Sequence, residues 1–157
     1  MRFRVSLPDL LKRSKSKKNE NMENFNGTIA VVKDRIDEYV SRMRIGVITA
    51  IDDNALFAEL TFADLTSARF ACRELQVLKN KTELYTLLLS SPEKIPNSDF
   101  KLLFQVNMLQ DRGDVSSLIE ACQLIKSTPS ALALATQRLS DLLENKSQSA
   151  ALNLHSR

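Results

Sequence analysis

Between residues 27 and 79, the apolar positions follow the two-residue alternation of half-buried strands. Turn-forming residues such as Asp52, Asp53 and Asn54 separate the alternating stretches. About four or five short antiparallel strands that bend strongly tend to close on themselves, because closure removes exposed edges. We therefore expect a small barrel over residues 26–79. In order, the predicted strands are GTIAVVKD (27–34), RIGVITAI (44–51), ALFAELTF (55–62), ARFACREL (68–75) and LQVL (75–78).

After Lys79, the apolar spacing changes to the 3.6-residue period of helices. Gly113 suits the left-handed residue that ends a helix, and Asp114 is a good N-cap for the next one. Pro129 suits the first turn of a further helix. We expect a helical domain over residues 80–157, packed on or beside the barrel. In order, the predicted helices are 81–91 (ended by Pro92), 98–111 (capped by Asn97 or Ser98), 115–127 and 129–146.

Basic residues are concentrated at the start of the chain. The formal net charge is +3, but residues 1–21 hold seven basic and two acidic residues, so the remaining residues are net −2. We expect residues 1–25 to form a basic, flexible arm, because KRSKSKKNEN (12–21) contains no apolar residue. A solvated tail, a tether, a targeting leader such as a mitochondrial presequence, and a translation start at Met22 are open alternatives for residues 1–21. Non-specific nucleic-acid binding, if present, is expected through Lys12, Arg13, Lys15, Lys17 and Lys18.

The residues needed for common catalytic and metal sites are missing or scattered. The only histidine, His155, lies near the end of the sequence, and the three glycines form no phosphate-binding loop. Cys72 and Cys122 are far apart in apolar contexts, which indicates reduced, buried thiols in a cytoplasmic protein, with a disulfide or a metal pair as the alternative. No apolar run approaches the roughly 20 residues that a membrane helix needs. We therefore predict no catalytic residue, no metal, no cofactor and no membrane contact.

Arginines on the predicted strands are the candidate binding residues. Arg69 and Arg73 lie four residues apart and would share one strand face, and Arg44 alternates away from its apolar neighbours. If the strands that hold Arg44 and Arg69 are neighbours, the three guanidinium groups form one patch beside Phe57. Such a patch suits a phosphate or a carboxylate-bearing protein partner, because a planar guanidinium binds both groups through paired hydrogen bonds. The alternative is a solvated face that nearby acidic residues neutralise.

The segment GTIAVVKD…RMRIGVITAIDDNALFAELTF…SARFACRELQVL resembles an SH3-like small barrel of the KOW/Tudor type, over residues 26–79. A helical domain after such a barrel is similar to the arrangement in CarD-like transcription regulators. The resemblance implies fold class α+β, with a small antiparallel SH3-like β-barrel followed by a C-terminal helical bundle. It also implies a partner such as RNA polymerase or a ribosome-associated protein, with no cofactor and no catalytic residue. CarD-like helical domains are basic and use a tryptophan at the DNA, whereas this chain has no tryptophan and residues 80–157 are not notably basic.

Together these features predict a non-catalytic adaptor that docks a transcription or translation partner through the arginine patch of its barrel. The alternative is a structural or assembly protein that forms a homo-oligomer through its helical half. This alternative rests on apolar residues on two sides of helix 98–111 and on the many leucines and alanines of residues 131–143, more apolar surface than one small bundle buries.

We expect deletion of residues 1–21 to remove most of any RNA or DNA affinity, because the remaining chain is net negative. With about five phosphate contacts, the affinity of the full chain should fall by roughly two to four orders of magnitude between low and physiological salt. Filter binding of both forms at low and physiological salt measures this. A truncated chain that keeps its affinity would instead place the binding site on the strand arginines.

Overall fold

The structure is a computed structural model that describes residues 25–35 and 37–155. The predicted basic arm, with its five nucleic-acid-binding candidates, lies outside these residues except for Phe25, which is buried. Within the described residues, six strands and five helices form an α+β fold, as predicted. In order they are β1 (Ile29–Arg35), β2 (Ser41–Ile51), β3 (Phe57–Phe62), β4 (Ser67–Ala71), β5 (Leu75–Leu78), α1 (Lys81–Ser90), α2 (Asn97–Arg112), α3 (Val115–Ile125), α4 (Pro129–Ala135), β6 (Thr136–Arg138) and α5 (Leu139–His155).

All six strands belong to one antiparallel sheet with the order β4-β3-β2-β1-β5-β6. The predicted strands are present as β1 to β5, but the described residues do not form the predicted closed barrel, because β4 and β6 are the two edges of an open sheet. The reason is β6, which comes from the helical half and pairs with β5 through Gln76–Arg138, Val77–Gln137 and Leu78–Thr136. This strand occupies the edge of β5 that β4 would have to reach to close a barrel.

The strand β1 is buried on both sides, which explains its unbroken apolar run. One side joins the helix-side cluster, whose buried members are Ile29, Val31, Leu84, Leu88, Ile95, Leu103, Val106, Leu109, Ala121, Cys122, Ile125, Ala131, Leu132 and Ala135. The other side joins the α5-side cluster, whose buried members are Phe25, Ala30, Val32, Ile48, Ala58, Leu60, Phe62, Cys72, Leu75, Val77, Leu139 and Leu143. Both clusters contain residues from before and after position 79, so the predicted boundary there does not separate two cores.

Local capping chemistry sets the boundary between α2 and α3. Gly113 ends α2 with a φ of 71°, a left-handed conformation that glycine adopts without a Cβ clash. Asp114 caps α3 by accepting a hydrogen bond (2.9 Å) from the backbone N–H three residues later. Both predictions are therefore confirmed. The N-cap position of α2 is held by Pro96 without a side-chain hydrogen bond, and not by Asn97 or Ser98 as predicted.

The helix predicted over residues 129–146 is interrupted by β6, since α4 ends at Ala135 and α5 begins at Leu139. Thr136 is buried between them, and its hydroxyl donates to Oε1 of Gln76 on β5 (2.8 Å). The β6 backbone also satisfies the hydrogen-bonding groups on the edge of β5. Pairing with this edge therefore stabilises the chain more than the continuous helix that the leucine spacing favours.

We expect Gly46→Ala to lower the free energy of unfolding by about 1–3 kcal/mol, as measured by urea denaturation. A Cβ at position 46 would lie 3.1 Å from Cδ1 of Phe62 and 3.2 Å from Cδ2 of Leu60, closer than ordinary contact. The Phe62 ring is held in place because the Arg44 guanidinium lies 3.6 Å from its centroid. In a Phe62→Leu background, the same substitution should lower the free energy of unfolding by a smaller amount. An equal cost in both backgrounds would show that the ring is not the source of the strain.

Candidate functional site

The predicted arginine patch is not formed, because Arg44 and Arg69 lie on opposite faces of the sheet. Arg44 is opposite Val32 of β1, whose side chain belongs to the α5-side cluster. Arg69 is opposite Glu59 of β3. Glu59 points to the other face of β3 from its neighbour Leu60, which belongs to the α5-side cluster. Since directly opposite side chains of an antiparallel pair share a face, Arg44 lies on the α5 side and Arg69 on the other side.

Arg44 is enclosed by its neighbours and has a structural role. Its guanidinium stacks on Phe62, at 3.6 Å from the ring centroid, and donates to Oδ2 of Asp34 (3.0 Å) and Oδ2 of Asp64 (3.4 Å). Hydrogen bonds from Thr66, and then the charge of Arg44, lower the pKa of Asp64. The Arg44 side chain is only 18% exposed. It therefore ties β1 and β2 to the turn between β3 and β4.

Arg73 does not share a strand face with Arg69, so that prediction is wrong. The strand β4 ends at Ala71, and Cys72–Glu74 form a 3₁₀ turn. The backbone N–H of Cys72 donates to a carbonyl of the β2–β3 connection (2.9 Å), and its side chain is buried. This burial directs the chain out of the strand and leaves Arg73 exposed on the turn.

Arg69 and Phe57 are brought together, as predicted. The Arg69 guanidinium lies 4.7 Å from the centroid of the Phe57 ring and forms an ion pair with Asp52. The Phe57 residue is 40% exposed and the Arg69 side chain 62% exposed. The pair lies on a surface named here the β3–β4 face, which consists of Phe57, Glu59, Thr61, Ser67 and Arg69.

The β3–β4 face is open because the helices cover only the central strands on this side of the sheet. Ile29 of β1 belongs to the helix-side cluster, and Met43, Ile45 and Val47 of β2 pack against it. Val47 is opposite Thr61 of β3, so the covered surface and the open one are continuous. The alternation of residues in the sequence identifies this side of β3 as polar. It does not predict which strands the helices cover.

An open depression of about 480 Å³ adjoins the β3–β4 face and is lined by Ile51, Asp52, Asp53 and Asn54. Asp52 connects it to Arg69 through their ion pair. In the part of the chain that the structure describes, no three histidine, cysteine, aspartate or glutamate side chains are grouped so that they could hold a metal ion. The lining of the depression offers carboxylates and an amide as hydrogen-bond partners.

Both cysteines are free and buried, as predicted, and each is 1% exposed. Burial raises the pKa of Cys72 to about 11, with a further contribution from the charge of Asp52, and burial raises the pKa of Cys122 to about 12. At neutral pH both groups are therefore protonated thiols, which are poor nucleophiles and poor metal ligands.

Comparison of the chain with known protein families, curated proteins and solved structures finds no match. Among residues 25–35 and 37–155, there is no helix with both the length and the apolar character to cross a lipid bilayer.

We expect neither thiol of the native protein to react measurably with Ellman's reagent at about pH 8, since Cys72, the less shifted of the two, is only about 0.1% thiolate there. The urea-unfolded chain should react rapidly at both cysteines. A Cys72→Ala variant is the control and should lose half of the signal of the unfolded chain. Fast reaction of one equivalent in the native wild-type protein, absent from that variant, would show that Cys72 is accessible.

Proposed function

We propose that the protein is a non-catalytic adaptor that docks a protein partner through the β3–β4 face. The observation that carries this proposal is the exposed Phe57–Arg69 pair on the part of the sheet that the helices leave uncovered. Aromatic and arginine side chains are enriched at the centres of protein interfaces, because they bury large areas and form directed hydrogen bonds. An open, strand-based surface of this kind favours binding over catalysis.

The chemistry of the pair suits a segment that brings a single carboxylate together with apolar side chains. The Phe57 ring supplies apolar area and orients the Arg69 guanidinium, which reduces the rotamer entropy lost on binding. The ion pair of Arg69 with Asp52 faces solvent and contributes little to stability, so a partner carboxylate can share or replace it at low cost. The strand β4 is also an edge of the described sheet, and such an edge can pair with an added strand.

The resemblance to SH3-like barrels of the KOW/Tudor type supports a partner in transcription or translation, such as RNA polymerase or a ribosome-associated protein. Five consecutive strands whose fifth returns to pair with the first have the connectivity of a small five-stranded barrel, and β1 to β5 follow it. With such a partner we also propose a cytoplasmic location. Non-specific contact between the basic arm and nucleic acid would then assist docking.

Arg44 and Arg73 are excluded from the proposed interface on geometric grounds. Two carboxylates and an aromatic ring already surround the Arg44 guanidinium, and its reversal to glutamate would place three carboxylates together and disturb the fold. Arg73 is exposed but lies on the 3₁₀ turn that follows β4, outside the residues that define the β3–β4 face. It therefore offers a matched control for a charge reversal.

We expect the double variant Phe57→Ala/Arg69→Glu to bind the partner at least about tenfold more weakly than wild type. The partner is captured from cells of the native source, identified by mass spectrometry, purified and titrated calorimetrically. The Arg73→Glu variant should bind like wild type. Thermal unfolding of each variant verifies that the fold is intact. Equal affinity of wild type and the double variant would refute docking through the β3–β4 face.

A further inference from the structure

Large apolar side chains are exposed on the outer side of the α1–α2 hairpin. Phe104 and Met108 of α2 are 48% and 56% exposed, and Tyr85 and Leu89 of α1 are 50% and 64% exposed. The members of each pair are four residues apart, so they lie on one side of their helix. These four residues are named here the α1–α2 patch.

The two pairs of this patch are neighbours because α1 and α2 run antiparallel. Lys81 at the start of α1 forms an ion pair with Asp111 near the end of α2 (2.9 Å), and Nδ2 of Asn107 donates to the carbonyl of Lys81 (2.8 Å). Tyr85, one turn further along α1, lines the same shallow depression as Asn107. Four half-exposed large side chains present on the order of 400 Å² of apolar surface, the size of the largest apolar patch on a typical monomer, which is often functional.

On α2, a charged residue lies at each end of the patch, and the two charges are opposite in sign. Lys101, Phe104, Met108 and Asp111 are all exposed, and their spacing of three, four and three residues places them on one stripe with coiled-coil geometry. The stripe thus begins with a positive charge and ends with the carboxylate of Asp111, which also pairs with Lys81 of its own chain. It is self-complementary: two antiparallel copies of α2, related by a twofold axis midway between Phe104 and Met108, would bring these two residues together. The same axis would bring Lys101 of each copy to Asp111 of the other.

We propose that a second copy of this chain covers the α1–α2 patch and forms a twofold symmetric dimer with antiparallel α2 helices. Tyr85 and Leu89 extend the contact on either side, and the interface is isologous, so the assembly closes at two copies. A standard interface buries about 800 Å² per partner. The apolar patch supplies about half of that area, so we expect a dissociation constant in the micromolar range. The β3–β4 face lies on other elements, and the dimer would present it twice.

Charge reversals test the antiparallel register of the full chain by sedimentation equilibrium. Lys101→Glu places two acidic groups together at each end of the α2 pair, and Asp111→Lys places two basic groups together. The second variant also loses the ion pair with Lys81, which is exposed and contributes little to stability. Each variant alone should therefore raise the dimer dissociation constant at least about tenfold. An equimolar mixture of the two variants should dimerise again, because each end of the mixed dimer then joins an acidic group to a basic one.

Two further variants test whether the dimer forms through the patch and not through another part of the surface. Phe104→Glu introduces a charge into the patch and should leave only monomer. Arg73→Glu, a charge reversal on the turn after β4, should dimerise like wild type. Circular dichroism verifies that each variant is folded. A wild-type chain that stays monomeric at about 100 µM would overturn the proposal. So would a mixture of the two folded reversal variants that does not dimerise, because only the antiparallel register predicts rescue.

Discussion

Burial of β1 on both sides is the constraint on which the rest of the structure depends. Residues 29–32 are four consecutive apolar residues that alternate between two faces, and neither face is stable in water. One face packs in the helix-side cluster, where α3 lies directly against β1, and the other packs in the α5-side cluster with the inward residues of β2, β3 and β5. To reach the second face, the chain passes the outer edge of β5, and there it forms β6. The sheet consequently remains open, and β3 and β4 extend past the helical layer.

The same chemical pair serves two purposes in this sheet. Arg44 stacks on Phe62 and Arg69 stacks on Phe57, in both instances a guanidinium over an aromatic ring. The Arg44 side chain is 18% exposed and has two carboxylate partners, so its interactions are directed inward. The Arg69 side chain is 62% exposed and has one exposed partner. Surroundings, and not residue type, therefore separate a structural arginine from a candidate binding one.

Features that depend on local chemistry were predictable from the sequence. The strands β1 to β5, the cap at Gly113–Asp114 and the proximity of Phe57 to Arg69 all arise within a strand pair or a helix end. The relative faces of Arg44 and Arg69 were not predictable, because they depend on strand register, which includes a shift between Ile48 and Ala50. The strand β6 was not predictable either, because its residues have a helical pattern and only the distant edge of β5 makes them extended.

The strand β6 also determines the order in which the molecule can complete its folding. Thr136 and Gln76, which it joins, are 60 positions apart in the chain. During synthesis, β1 to β5 emerge first, with the β5 edge unpaired and the α5-side cluster still lacking Leu139 and Leu143 of α5. Such distant contacts slow folding, and an uncovered edge invites association with other nascent chains. A partly synthesised chain therefore exposes this edge until β6 has left the ribosome.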